Sequence, residues 1–252
     1  MTLDSSVGPF VARTGGENAA CAYRKAGVDC GNCEVRAISV CGALDVGERL
    51  RLEGIAQRTG FDTRETIFRE GDRKGSFFNI TSGAVRLFRL FRDGRRQVLG
   101  FRLPGDFLGL DMDDRHSFSA EAIEPTRVCR FGKPQFTLLV EDKPHLLRKL
   151  HERTGQEVGF THDHMMALGQ RSARERVAWF LLSLRDRQKK AGSATDVVKL
   201  PMPRQDIADF LGLTIETVSR TLTVLARENV IMISPKKVRF IDERQLTKLA
   251  VS

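Results

Sequence analysis

Four glycines, Gly71, Gly83, Gly94 and Gly105, recur at intervals of eleven or twelve residues between short apolar segments. The segments are rich in branched and aromatic side chains and span residues 66–68, 77–80, 85–91 and 98–101. Short strands separated by regular glycine turns are typical of an antiparallel barrel or roll. Asp93 followed by Gly94 is a strong hairpin signal. We therefore predict a β-roll over about residues 61–131, preceded by a short helix at 47–58 and closed by a strand at 122–131.

The cysteines are the second informative feature, and the chain holds five of them, Cys21, Cys30, Cys33, Cys41 and Cys129. The two residues between Cys30 and Cys33 allow one turn of backbone to direct both sulfurs at one point. Four converging thiolates hold zinc or an iron–sulfur cluster. Cys129 lies in the last predicted strand, which can return it to the N-terminal group. Isolated buried cysteines are the alternative, but the residues around Cys30 and Cys33 are glycine or polar, unlike a core strand.

Composition limits the class of protein. The chain has 252 residues, of which 41% are hydrophobic and 29% charged, as in soluble globular proteins. There is no apolar run of membrane-span length and no signal-peptide pattern, so we expect a cytoplasmic protein with no membrane partner. Clustered cysteines in the cytosol more often bind metal or react than form disulfides. Residues 1–20 lack an apolar period and are predicted to be disordered. The net charge of +9 suits a polyanionic partner.

A long helix is predicted from residue 144 to about residue 169. Its stripe residues are spaced by three and four, the period of a coiled-coil seam. Such a stripe can also face the chain's own barrel, but the helix length and the small or polar seam positions favour pairing with a second copy. The predicted dimer seam contains Leu147, His151, Thr154, Val158, Thr161, Met165 and Leu168.

The C-terminal part has the pattern of a DNA-binding module. An amphipathic helix at 174–188 and a polar linker at 189–196 precede a helix at 202–211, a turn at Gly212, and a second helix at 214–228 that Thr214 can cap. Two short strands, 231–233 and 238–241, flank a polar turn. Helix, turn, helix and hairpin in this order predict a winged helix-turn-helix.

The second helix of that module carries the candidate DNA contacts. A recognition helix places its N-terminal residues in the major groove. Glu216, Ser219 and Arg220 share one face of the helix. Arg220 can contact a guanine, Glu216 can contact a cytosine, and Ser219 can contact either base. The alternative is that Glu216 and Arg220 form a solvent-exposed ion pair with each other and contact no base. The predicted phosphate contacts are Thr214, Thr217, Arg227, Lys236 and Lys237.

Residues 213–220, Leu-Thr-Ile-Glu-Thr-Val-Ser-Arg, closely resemble the recognition helix of the FNR branch of the CRP/FNR transcription regulators. The cysteine pattern and Gly105-Asp106-Phe107-Leu108-Gly109 resemble the same branch. The resemblance covers about residues 21–245. It implies an α+β chain that is not an enzyme: a cysteine-rich segment plus a cyclic-nucleotide-binding-like β-roll (21–142), a dimerisation helix (143–170) and a winged helix-turn-helix (171–245).

The resemblance also implies a function. Cys30, Cys33, Cys41 and Cys129 would ligate an oxygen-labile 4Fe-4S cluster. With the cluster intact, a homodimer would bind palindromic TTGAT-like sites in double-stranded DNA, recruit RNA polymerase and mainly activate genes; oxygen would release it from DNA. The chain departs from the best-known members in three respects: a longer gap of seven residues between Cys33 and Cys41, as in alphaproteobacterial variants, the additional Cys21, and Thr161 in place of an acid.

Other functions remain open at this point. Cyclic-nucleotide binding needs an Arg and a Ser after the Gly-Asp segment, whereas Asp111, Asp113 and Asp114 there would repel a phosphate. The cysteines can instead form a zinc site or a thiol/disulfide sensor. An iron–sulfur electron carrier or enzyme is a further class, but the sequence offers no nucleophile–base constellation and no phosphate-binding loop.

Overall fold

The computed structural model describes residues 30–110, 113–191 and 196–251. Cys21, Asp111 and the predicted disordered segment 1–20 lie outside the described residues. The described elements confirm the predicted architecture of an N-terminal antiparallel β-roll, a long helix and a C-terminal winged helix-turn-helix.

The strands of the β-roll are β1 (Ala56–Phe61), β2 (Thr66–Phe68), β3 (Ser76–Ser82), β4 (Val85–Leu90), β5 (Arg96–Arg102), β6 (Phe107–Leu108), β7 (Ser119–Ala122) and β8 (Thr126–Gly132). They form two four-stranded antiparallel sheets, in the orders β1-β8-β3-β6 and β2-β7-β4-β5. Side chains alternate along the strands, so that the inward-facing residues of both sheets form the core around Phe68, Ile80 and Leu87.

All four regularly spaced glycines adopt a positive φ angle, as the turn prediction requires. Gly83 combines φ +87° with a close approach: a Cβ there would lie 2.6 Å from the Pro125 carbonyl oxygen. The Asp93–Gly94 turn joins β4 to β5, and the Asp93 carboxylate accepts a hydrogen bond from the Arg95 amide at 3.0 Å. The predicted hairpin is therefore confirmed.

Two predicted elements were wrong in extent. The first helix, α1 (Val46–Ile55), ends earlier than predicted, because residues 56–61 pair with β8 as strand β1. The predicted strand at 122–131 is two strands, β7 and β8, which belong to different sheets. Pro125 lies between them, and proline cannot donate the hydrogen bond that a continuous strand needs.

Seven α-helices are described: α1, α2 (Lys133–Glu141), α3 (Pro144–Gln170), α4 (Ala173–Lys190), α5 (Arg204–Leu211), α6 (Ile215–Arg227) and α7 (Glu243–Val251). At 1.5 Å per residue, the 27 residues of α3 span about 40 Å. The helices α2 and α7 were not predicted; α7 packs on α4 and extends the C-terminal unit beyond residue 245. No helix in the described ranges is long and apolar enough to cross a membrane.

The C-terminal unit contains helices α4 to α7 and the strands β9 (Val197–Lys199), β10 (Ile231–Ser234) and β11 (Lys237–Phe240). These strands form an antiparallel sheet in the order β10-β11-β9. One continuous apolar core joins this unit to the roll, because Phe101 of β5 packs against Phe180 and Phe210, with ring centroids 6.1 and 5.4 Å away. The two halves therefore pack as neighbours within one chain.

Candidate cysteine centre and nucleic-acid interface

The cysteines from the two ends of the sensor unit lie in one apolar cluster. Cys30, Cys41 and Cys129 are buried together against Phe107 and Phe131, while Cys33 is half-buried, and all four are free thiols. Cys129 reaches the cluster from β8, in which it pairs with Arg58 of β1. The structure thus brings a strand residue to the N-terminal cysteines, as the sequence predicted.

The backbone around the cysteines is held by nearby side chains. The Glu53 carboxylate accepts a hydrogen bond from the Cys30 amide at 3.3 Å. Arg36 donates to the Gly31 carbonyl at 2.7 Å, and the Cys41 amide donates to the Ser39 hydroxyl at 3.2 Å. These bonds give the loop a defined shape.

The electrostatics of the cysteines reflect their proximity. Burial, together with the charge of neighbouring cysteines, raises the pKa of Cys30 to about 11 and that of Cys129 to about 12. Burial also raises the pKa of Cys41. Arg58 opposes these effects at Cys30 and Cys129. The thiolate state therefore needs a positive partner, which a bound metal centre supplies.

The chemistry of the donor set limits the groups that it can hold. In the described part of the chain, no group of three or more His, Cys, Asp or Glu side chains is arranged to hold one metal ion. The four cysteines nevertheless form one partly buried group of thiol donors. Thiolate sulfurs are the donors of iron–sulfur clusters as well as of zinc.

The recognition helix α6 begins as the sequence predicts. Gly212 ends α5 in a left-handed conformation, and the Thr214 hydroxyl accepts a hydrogen bond from the Thr217 amide at 3.2 Å. Glu216, Ser219 and Arg220 are all exposed on the helix. In this described segment no ion pair joins Glu216 to Arg220, so both side chains are available to bases.

Glu216 is held in its charged form. Hydrogen bonding to its own backbone amide, followed by the Thr214 hydroxyl and the Arg220 charge, lowers the pKa of this carboxyl below its usual value. An ionised carboxylate can accept a hydrogen bond from a cytosine amine. The structure places the predicted phosphate contacts Arg227, Lys236 and Lys237 at exposed positions, whereas Thr217 is half-buried beside its cap.

One cation at this surface was missed by the sequence reasoning. Arg204, the first residue of α5, lines a cleft of about 480 Å³ together with Ser234 and Lys236 of the wing. Among the described residues its Nη1 is buried without a hydrogen-bond partner, and burial lowers its pKa. An unpaired guanidinium beside the wing suits a phosphate group. The sequence feature that could have identified Arg204 is its position at the start of the first helix of the helix-turn-helix.

The predicted seam lies along an uncovered strip of α3. Leu147, Val158 and Met165 are 55%, 49% and 63% exposed. Thr154 and Thr161 are also exposed, and each hydroxyl donates to a carbonyl four residues earlier. Leu168 differs, because it is half-buried against the turn at Gly212. Exposed apolar side chains in one strip of a long helix are typical of a surface that pairs with a partner.

Comparisons with known proteins agree with this architecture. A family model for a Crp-like helix-turn-helix domain matches residues 175–249, and one for a cyclic nucleotide-binding domain matches residues 58–143. The nitrogen fixation regulation protein FixK of Bradyrhizobium diazoefficiens is 46% identical over 223 residues, which cover 88% of this chain and 94% of that protein. The transcriptional activator protein FnrL of Cereibacter sphaeroides is 32% identical over 212 residues, covering 82% and 86%.

A solved structure of a related regulator is also similar to this chain. The structure of FixK2 from Bradyrhizobium japonicum has a TM-score of 0.74 and 34% sequence identity, covering 79% of this chain and 98% of that chain. The chain belongs to the CRP/FNR family of transcription regulators. It is thus a DNA-binding regulator and not an enzyme, and this family binds DNA as dimers.

Proposed function

We propose that this regulator is an oxygen-responsive transcription activator. Cys30, Cys33, Cys41 and Cys129 hold an oxygen-labile 4Fe-4S cluster, and the homodimer binds palindromic TTGAT-like sites and recruits RNA polymerase while the cluster is intact. One observation carries the proposal: cysteines separated by about ninety residues of sequence meet in a single apolar cluster, where burial and the charge of the N-terminal cysteines raise the pKa of Cys129.

The surroundings of the four cysteines suit this role. When bound, the cluster supplies an oxygen-labile cross-link between residues 30–41 and β8. Phe107 and Phe131 limit access of water to the sulfurs. The positive charge of Arg58 offsets part of the negative charge of the thiolates.

At the DNA end, specificity and affinity come from different side chains. Arg220 donates two parallel hydrogen bonds to a guanine, and the ionised Glu216 accepts from a cytosine amine. Ser219 lies on the same helical face and contacts either base type. Arg227, Lys236, Lys237 and Arg204 bind phosphates, so they position the dimer without selecting sequence.

No cyclic nucleotide takes part in this proposal, although the roll matches a cyclic nucleotide-binding domain. Asp113 and Asp114, which follow the Gly-Asp segment in the sequence, are exposed. Hydrogen bonding to Lys133 lowers the pKa of Asp114, which keeps this carboxylate charged. Two carboxylates here repel a cyclic phosphate.

The test of the cofactor is metal analysis of protein purified without oxygen. We expect about four irons and four sulfides per chain and a broad visible absorption. Cys129→Ser should lose both, whereas the matched control Cys21→Ser should keep both. Zinc in place of iron, or a colourless wild-type protein with no metal, would refute the cluster, and loss of iron from Cys21→Ser would refute this ligand set.

A further inference from the structure

Asn79 is a buried asparagine of β3 to which the proposed function gives no role. The residue is only 1% exposed, although asparagine is ordinarily found at the surface. Among the described residues, its Oδ1 is buried without a hydrogen-bond partner. A buried polar atom without a partner costs free energy, so its presence in a folded protein calls for a physical reason.

The pairing of the strands places Asn79 beside the cysteine centre. Asn79 lies opposite Cys129 of β8 on one side and opposite Phe107 of β6 on the other. Its neighbours along the strand, Phe78 and Ile80, belong to the core inside the roll. Because side chains alternate along a strand, Asn79 points to the other face, where Cys129 and Phe107 lie in the apolar cluster.

The Asn79 carboxamide is close enough to contact the Cys129 sulfur. Residues directly opposite each other in an antiparallel pair have Cβ atoms about 4.5–5.5 Å apart. A carboxamide has one end that donates hydrogen bonds and one end that accepts them, and the two ends have nearly the same size. A half-turn of the side chain therefore presents the donating Nδ2 to the sulfur without displacing the residues around it.

Cys129 also has a possible donor on its other side. Arg58 of β1 is the residue opposite Cys129 in the second strand pair. Arg58 is exposed, whereas Asn79 is enclosed by protein. A hydrogen bond is electrostatically stronger in the interior of a protein than in water. Asn79 is therefore the donor beside Cys129 that solvent does not screen.

We propose that the Asn79 carboxamide donates a hydrogen bond to the Cys129 sulfur when this sulfur is bound to iron, and that this bond raises the reduction potential of the centre. Hydrogen bonds to the sulfurs are among the features that set the potential of an iron–sulfur cluster. A donor withdraws electron density from the sulfur and so stabilises the reduced form. The inference rests on the proposed function, because it requires an iron–sulfur cluster at Cys129.

A purely structural role for Asn79 predicts a different pattern of effects. An asparagine that only stabilises the fold does so with and without the cluster, so its loss lowers the melting temperature and leaves the reduction potential unchanged. A donor that serves the cluster has a buried polar end without a partner when iron is removed. An apolar residue of similar size then raises the melting temperature of the iron-free protein.

The test uses Asn79→Leu in the full-length protein, because leucine has a similar size and no polar atom. Each protein is purified without oxygen, its iron and sulfide are counted, and its reduction potential is measured by titration with redox dyes. We expect Asn79→Leu to keep its iron and to have a lower reduction potential than wild type. Asn79→Thr keeps a hydroxyl donor and should recover part of this shift. After the iron is removed with a chelator, Asn79→Leu should melt at a higher temperature than wild type.

The matched control is Thr81→Val on the same strand. This substitution removes a hydroxyl that donates to the Arg127 carbonyl at 3.0 Å and leaves the residue opposite Cys129 unchanged. The reduction potential of Thr81→Val should equal that of wild type. An equal shift in Thr81→Val and Asn79→Leu would overturn the inference, because the potential would then respond to any polar group lost from this strand.

The remaining outcomes separate the inference from the proposed function. If wild type holds the cluster and Asn79→Leu has the same potential, only the inference is overturned. If Asn79→Leu loses its iron while Asn79→Thr keeps it, the donor is needed for the cluster and the inference stands. If both variants lose their iron, Asn79 maintains the shape of the site and the inference is overturned. If wild type itself holds no iron–sulfur cluster, the proposed function fails, and this inference with it.

Discussion

Asp206 on α5 accepts hydrogen bonds from Arg86 on β4 at both carboxylate oxygens, each at 2.8 Å, and the Asp206 side chain is fully buried. Arg96 on β5 donates to Asp206 at 2.5 Å and to Asp209 at 2.7 Å. These charges join the first helix of the DNA-binding module to the β-roll. Because α6 packs on α5, the same contacts orient the recognition helix relative to the roll.

Replacing Asp206 by asparagine should destabilise the protein strongly. The substitution keeps the shape of the side chain but removes the buried carboxylate that Arg86 and Arg96 share, so that Arg86 is paired with Glu121 alone and Arg96 with Asp209 alone. Breaking a buried ion pair costs roughly 3–5 kcal/mol. The measurement is the free energy of unfolding from urea denaturation. The control is Asp93→Asn, whose pair with Arg95 is exposed and should contribute little. Equal stability of the two variants would contradict this role for Asp206.

His164 should make stability depend on pH. Its ring stacks on Phe210 at 3.9 Å, and burial lowers its pKa below the ordinary 6.5. Above about pH 6.5 the ring is neutral in the folded and unfolded states, so it has no effect. As pH falls below that value, the unfolded chain gains a proton that the folded ring resists, so unfolding is favoured.

The measurement for His164 is the melting temperature between about pH 7.5 and pH 5.5. His164→Gln should reduce the loss of melting temperature at the acidic end. His162→Gln changes an exposed histidine of the same helix and should leave the loss unchanged. An identical pH dependence in wild type and His164→Gln would contradict the buried neutral state.

Two glycines with positive φ should respond differently to alanine. Gly94 has open space around its missing Cβ, so Gly94→Ala should cost only the backbone strain, about 1–2 kcal/mol. Gly83 meets the backbone of Pro125 and Thr126 within 2.7 Å. Gly83→Ala should therefore cost at least about 1 kcal/mol more. Denaturation of both variants tests this, and equal losses would show that the close approach at Gly83 is unimportant.

Arg220 and Arg227 should affect DNA binding in different ways. Arg220→Ala should cost about 1–3 kcal/mol on the TTGAT palindrome and reduce discrimination against a changed guanine position. Arg227→Ala should weaken binding to all DNA sequences alike. It should also reduce the number of counterions released on binding, measured from the salt dependence, by about one. Fluorescence anisotropy at several salt concentrations measures both quantities. Loss of discrimination in Arg227→Ala instead of Arg220→Ala would reverse the assignment.

Features encoded locally were predictable from the sequence. The turns at Gly71, Gly83, Gly94 and Gly105 follow from regular spacing, and the Thr214 cap follows from its position before an amphipathic helix. The meeting of Cys129 with the N-terminal cysteines was predictable because a late strand can return across a roll. For the turns and the cap, the signal lies within a few residues or in a repeating pattern, whereas the prediction for Cys129 rests on the expected course of a strand.

Features that depend on distant partners were not predictable in the same way. The strand at 56–61 follows a capped helix without a break signal, and its pairing with β8 decides its structure. Arg86 and Asp206 are 120 residues apart, and nothing local distinguishes them from other charged residues.

The most direct test of the central claim is operator affinity measured on one anaerobic sample before and after air. The proposed function predicts tight binding to a TTGAT palindrome before air, and a loss of binding that parallels the loss of visible absorption. Cys129→Ser should bind weakly throughout. Tight binding that persists after the absorption has bleached, or equally tight binding by Cys129→Ser, would contradict oxygen control through the cysteine centre.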